Sequence, residues 1–125
     1  MDQTNYNLYA SDISSIAAAS SDNTDSKIAF VDDVEVVAVQ LKAEAANASI
    51  AANLVAKIVA SVDGVNFDTQ TFATVTLAKT ADTEEAVTEL INVRGIRAIM
   101  ITEIENEDAN YAVENVNAVF GKTIL

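Results

Sequence analysis

VEVVAVQLKAEA, residues 34–45, alternates with a period of two: Val37, Val39, Leu41, Ala43 and Ala45 fall on one side of an extended chain, and Gln40, Lys42 and Glu44 on the other. Successive side chains of a strand point to opposite faces, so this run predicts a strand with one face in a core and one in water.

The same pattern recurs downstream. NLVAKIVASV, residues 53–62, puts Leu54, Ile58 and Val62 on one face with the small Ala56 and Ala60, against Lys57 and Ser61. Asp63-Gly64 then reads as a tight reversal, because Gly tolerates positive φ and Asp bonds its own backbone. TFATVTLA returns with Ala73, Val75 and Leu77 inward. After the polar loop KTADTEE, AVTELINV places Val87, Ile91 and Val93 on one face, a face that Glu89 interrupts. IRAIMITEI reads as a largely buried strand and YAVENVNAVF as the closing one. Proline is absent and the glycines are Gly64, Gly95 and Gly121, so the turns rest on Asn, Asp, Ser and Thr. About seven strands with turns every 8 to 12 residues predict an all-β fold, an antiparallel β-sandwich or jelly roll. The Ala-rich stretch from Lys42 to Lys57 has a helical alternative, since alanine is the best helix former, although its apolar positions do not repeat every three to four residues.

Upstream the texture differs. Residues 1–26 hold Tyr6 and Tyr9, the stretch SSIAAASS and the polar cluster SSDNTDS. They read as an N-terminal arm with one weak helical turn and a loop, ahead of a β-sandwich domain at 27–125. Tyr6 and Tyr9, three residues apart in a polar setting, are candidate partner-binding anchors, because interface hot spots are often aromatic; an arm packed on its own domain accounts for them equally well. Removal of such an arm is expected to leave the melting temperature nearly unchanged but to abolish oligomerisation or partner binding. Phe30, Phe67, Phe72, Tyr111 and Phe120 are expected in the core.

The 125 residues, half of them apolar, suffice for one domain with one core. Nineteen acids against seven bases leave a formal charge of −12. Phosphate binding needs clustered Lys and Arg, and the bases here are scattered, so no nucleic acid is expected as a partner. No apolar run approaches the roughly 20 residues of a membrane span, and MDQTNYNLYASD lacks the basic and apolar regions of a signal peptide. No membrane partner and no secretion signal are therefore expected.

Histidine and cysteine are both absent. The commonest general base, the commonest metal ligand and the thiol nucleophile are thereby missing, and triads of the usual types cannot be built. A carboxylate-pair glycosidase would ordinarily need aromatic sugar platforms as well, and there is no tryptophan. The reading is no enzyme, no catalytic residues and no cofactor. Two acidic groups, Asp32, Asp33 and Glu35, and Glu103, Glu105, Glu107 and Asp108, have the residue type for Ca²⁺ but not the spacing of a calcium-binding loop. The alternation of Glu103, Glu105 and Glu107 reads rather as a solvated strand edge, and no metal site is assigned.

LVAKIVASVDGVNFDTQTFATVTL (residues 54–77) together with VRGIRAIMITEIENEDANYAVENVNAVFG (93–121) resembles small β-sandwich proteins of tailed-phage particles, in particular capsid decoration or cement proteins. The shared elements are a strand ending in Ser61, Asp63, Gly64, Asn66 and Phe67, and a later strand introduced by Gly95, Ile96 and Arg97 with Ile99 and Ile101. The resemblance covers roughly residues 34 to 121. It implies a virion structural protein on the capsid surface whose partners are the major capsid protein and copies of itself, commonly as a homotrimer. Carbohydrate-binding and discoidin-like sandwiches share the same hairpin and G-x-R strand, so a sugar-binding or adhesin module stands as one alternative and a tail or head-completion component as another. The contact surface is expected in the arm and in the loops at one end of the sandwich.

Overall fold

The computed structural model describes residues 2–7, 13–23 and 28–124. They form ten strands: β1 (Asp2–Asn7), β2 (Ile13–Ile16), β3 (Ser21–Asp22), β4 (Ile28–Phe30), β5 (Val36–Ala45), β6 (Asn53–Ser61), β7 (Ala73–Ala78), β8 (Glu85–Asn92), β9 (Ala98–Asn106) and β10 (Val113–Ile124). There is no helix among the described residues, and hence none long and apolar enough to cross a membrane. The Lys42–Lys57 stretch, its helical alternative included, is strand at both ends around a short turn.

Two antiparallel sheets result. One runs β1-β10-β5-β8, with β2 also on β10; the other runs β3-β9-β6-β7, with β4 also on β9. From β4 onward only β6 and β7 are a hairpin within one sheet; every other step crosses to the opposite sheet, which is jelly-roll winding.

The inward faces are those the alternation predicts. Val37, Val39, Leu41, Ala43 and Ala45 of β5 meet Leu54, Ala56, Ile58 and Ala60 of β6, with Val75, Leu77, Ile91 and Val93 around them. Glu89 sits at an inward position of β8, the edge of its sheet, and is exposed there. An inward-pointing charge at an edge discourages a further strand from adding.

Strict alternation fails in β9 and β10, each time at a bulge. In β9, Lys57 pairs with Glu103 but Ile58 with Ile101, so Thr102 is extra. The bulge lets Ile99 and Ile101, then Ile104 and Asn106, all face inward. In β10 the register slips between Glu114 and Asn117, with Asn115 left-handed at φ 50°, and Val113, Val116, Ala118 and Phe120 all stay buried. Asn accepts that conformation at lower cost than most residues.

Several expectations change. The described parts of the N-terminal 26 residues are strands of the two sheets rather than a helical turn: β1 and β2 pair with β10, and β3 with β9. Ile16, read from sequence as part of an Ala/Ser stretch, and Ile13 just before it are buried in the core. Asp63-Gly64 does not close a two-residue hairpin but opens the 62–72 loop. Val62 lies beyond the end of β6 and is exposed. β9 has partners on both sides, so Glu103 and Glu105 lie on the outer face of a central strand, not at an edge, and Glu107 lies past its end.

Candidate functional site

The two ends of the sandwich are built differently. At one end, loops 17–20, 46–52, 79–84 and 107–112 are bound to each other. Asp108 Oδ1 accepts from the backbone of Asn110 (2.8 Å) and Tyr111 (2.9 Å), and Oδ2 from that of Ala51 (3.2 Å). These donors, Asn110 first and Ala51 next, hold the carboxyl below its ordinary range. The amide of buried Asn106 donates to the carbonyls of Ile16, Ala17 and Tyr111. Lys79, fully buried at the end of β7, donates to the carbonyls of Ala43 and Thr83 (3.0 Å each) and pairs with Glu85 Oε1 at 2.9 Å. One side chain of the second sheet is thus tied to β5 and β8 of the first. Glu85 also accepts from Thr80 N, Ala81 N and the Thr80 hydroxyl. Chiefly the Thr80 backbone N–H, then the Lys79 ammonium, lowers its pKa to about 2.

At the other end lie loops 31–35, 62–72 and 93–97. Asp63 Oδ1 accepts from Val65 N and Asn66 N (2.8 Å each) and from the Ser61 hydroxyl (2.9 Å), while Gly64 N donates to Ser61 Oγ. Those donors, Asn66 foremost, push the Asp63 carboxyl far below the carboxylate range. The loop presents Val62 and Val65, 75% and 78% exposed. A shallow groove of about 270 Å³ runs between Asp32, Val34, Val62, Gly95, Ile96 and Arg97.

The outer face of the second sheet continues this end. Ile28 pairs with Met100, and Met100 with Val59. Phe72 donates its N–H to Ile58 O at 2.7 Å, one residue before Ala73, the partner of Ile58. Ile28, Met100, Val59 and Phe72 therefore form an apolar row across four strands, with Phe30 beside it opposite Ala98. Ile28, Phe30 and Phe72 are 45%, 48% and 40% exposed. A solvent-facing sheet ordinarily carries polar residues outward, and the other half of this same face does: Lys57 lies 2.9 Å from Glu103 and 3.6 Å from Glu105, beside Thr74 and Thr76. Ile28, Phe30 and Phe72 thus leave apolar surface open on this face, although Val59 within the row is only 3% exposed, and Val62 and Val65 add exposed apolar side chains on the loop at this end, where Arg97 lies beside the Phe30 ring.

The structure brings together few of the residues singled out from sequence. Tyr6 lies in β1 opposite Phe120; Tyr9 lies outside the described residues. Asp32, Asp33 and Glu35 each face a base instead of converging: Arg97 at 3.8 Å, Lys122 at 2.8 Å and Arg94 at 2.8 Å. No group of three or more acids able to hold a metal ion exists among the described residues. Phe120 is core and Tyr111 packs against it, but Phe30 and Phe72 stand outside, because the parity of their strands commits their neighbours Ala29 and Ala73 to the inside. The loops at this end are among those named from sequence as a contact surface, and sequence reasoning missed the sheet face beside them.

No protein-family model matches the sequence, and no curated protein does. Solved structures match in shape. A chain from the structure of infectious bursal disease virus, Gx strain, superposes with TM-score 0.54 at 14% identity, over 95% of this chain and 31% of that one. The carbohydrate-binding module CBM6cm-2 from the Cellvibrio mixtus lichenase 5A superposes with TM-score 0.50 at 9% identity, over 96% and 97% of the two chains. The C-terminal CBM6 of LamC from Zobellia galactanivorans gives 0.50 at 6%, over 98% and 100%. The fold is a jelly-roll-like β-sandwich. This chain spans less than a third of the viral chain it resembles, and both virus and carbohydrate-binding proteins share its shape.

Proposed function

We propose that this protein is a non-catalytic structural component of a virus particle, a capsid decoration or cement protein that works by burying surface against other proteins. The carrying observation is the group of outward apolar side chains Ile28, Phe30, Phe72 and Met100 on the second sheet, with exposed Val62 and Val65 on the adjoining loop. Contiguous exposed apolar surface on an otherwise charged protein marks an interaction site. The absence of His and Cys from the sequence and the resemblance to phage decoration proteins support the same reading. Added interface stabilises the assembled shell by mass action. Sugar binding has less in its favour on this face, whose members include no Trp or Tyr to stack on a sugar ring. Mass spectrometry of virions purified from the strain that carries this sequence is the test. The chain is expected among the particle proteins in stoichiometric amount; its absence from intact particles counts against the proposal.

A further inference from the structure

We infer that the occupant of the apolar face is a second copy of this chain, so that two sandwiches pack through the outer faces of their β3-β9-β6-β7 sheets about a two-fold axis. The inference rests on the structural-protein reading and names the partner of that same face.

Three observations point to a like copy. First, the strand residues that this face leaves open are uncharged. In a chain of net charge −12, most surfaces would set like charges against one another when paired with themselves, and Ile28, Met100 and Phe72 with Phe30 do not. Second, the adjoining rim carries both signs. Asp32 and Arg97 are each more than half exposed and only loosely paired at 3.8 Å. In an isologous interface residue i of one copy meets j of the other and j meets i, so a rim with one acid and one base is complementary to itself. Third, the area reaches the needed range. The exposed parts of Ile28, Phe30, Val62, Val65 and Phe72 amount to roughly 550 Å² per copy, so their complete burial gives an upper limit of about 1,100 Å² for the pair, against the ~1,000 Å² of a specific interface. The outer face of the other sheet offers less: Val36 and Leu90 are exposed there but stand opposite Asn92 and Ala38, with Gln40, Thr88 and Lys42 beyond.

The test is the solution mass of the purified full-length chain by sedimentation equilibrium, across protein concentration and at low and high salt. A dimer is expected. It should tighten severalfold as salt rises from about 50 to about 500 mM, because screening relieves repulsion between two acidic copies while apolar burial persists. Val62→Asp/Val65→Asp, two exposed loop positions, should yield a monomer with an unchanged circular dichroism spectrum. Leu90→Asp on the opposite face should leave the dimer intact. A monomer at every concentration and salt, a trimer, or a dimer broken by Leu90→Asp and not by the paired valine change overturns the inference. Presence of the chain in virions is read independently, so a monomer that still occurs in particles refutes self-pairing and leaves the structural role standing.

Discussion

Replacing Lys79 with methionine removes the buried cation that ties the two sheets at the closed end, in a side chain of similar length and without a charge. The ammonium makes three contacts, to Ala43 O, Thr83 O and Glu85 Oε1, at 2.9–3.0 Å. Removing one partner of a buried ion pair costs about 3–5 kcal/mol when the other charge is left bare. Glu85 is not left bare, since Thr80 N, Ala81 N and the Thr80 hydroxyl still donate to it, which places the loss near the lower limit. The carbonyls of Ala43 and Thr83 lose a charged donor at the same time, and a buried acceptor without a partner costs about 1–3 kcal/mol. The expected loss is about 3 kcal/mol, which at this length lowers the melting temperature by about 10–15 °C. Urea unfolding followed by circular dichroism, with an unchanged m-value, measures it, and a cycle with Glu85→Gln should show a coupling of about 1 kcal/mol or more. A loss below about 1 kcal/mol, or no coupling to Glu85, would refute the role given to this lysine.

The Glu85 carboxyl has a folded pKa of about 2 against an ordinary 4.5. Its stabilisation is therefore complete above pH 4.5, declines as the unfolded chain takes up its proton first, and is gone below about pH 2. Urea midpoints of Glu85→Gln should accordingly change less than wild type between those limits. Deleting residues 1–20 removes β1 and β2 and uncovers β10, and the loss of buried Ile13 and Ile16 alone should cost about 3–6 kcal/mol, seen as a lower urea midpoint or as aggregation; an unchanged midpoint would restore the picture of a free arm. Gly64 and Gly95 have nearly equal φ, 81° and 80°, but a Cβ at Gly64 would sit 3.1 Å from the Phe30 ring and 3.3 Å from Arg97, whereas Gly95 faces open space. Gly95→Ala should cost about 1 kcal/mol and Gly64→Ala about 2; equal losses would show that the ring yields freely.

Legibility followed the physics of each element. Strands with one clean face, β5, β6 and β7, were readable because burial of alternate residues leaves a period of two. The strands of residues 13–16 and 21–22 were not, since ISSI and SD are too short to show a period and are held by β10 and β9 rather than by their own composition. The bulges at Thr102 and Asn115 each reverse a parity that sequence reading carries through unchanged, and Glu103, Glu105 and Glu107 looked like an edge stripe because nothing in their spacing tells that β9 has partners on both sides and ends at Asn106. Lys79 reads as a loop charge because its partners, two carbonyls and a carboxylate, converge only after the sheets have packed.

The apolar face shows why a candidate contact surface was harder to find than the core. Each of its members is ordinary where it stands in the sequence: Phe30 beside a valine, Met100 within an isoleucine run, Phe72 ahead of a strand. Sequence reading assigns such residues inward, and the inward places were already taken by Ala29, Ile99, Ile101 and Ala73. Two apolar residues in succession on a strand cannot both face one core; one of each pair must look out. When the outward members of four adjacent strands are all apolar and fall in register, as Ile28, Met100, Val59 and Phe72 do, the strands have two apolar faces at that level. This chain already buries Val59, at 3% exposure, but leaves Ile28 and Phe72 at 45% and 40%, and the register of β4, β9, β6 and β7 is the feature that brings these outward residues together.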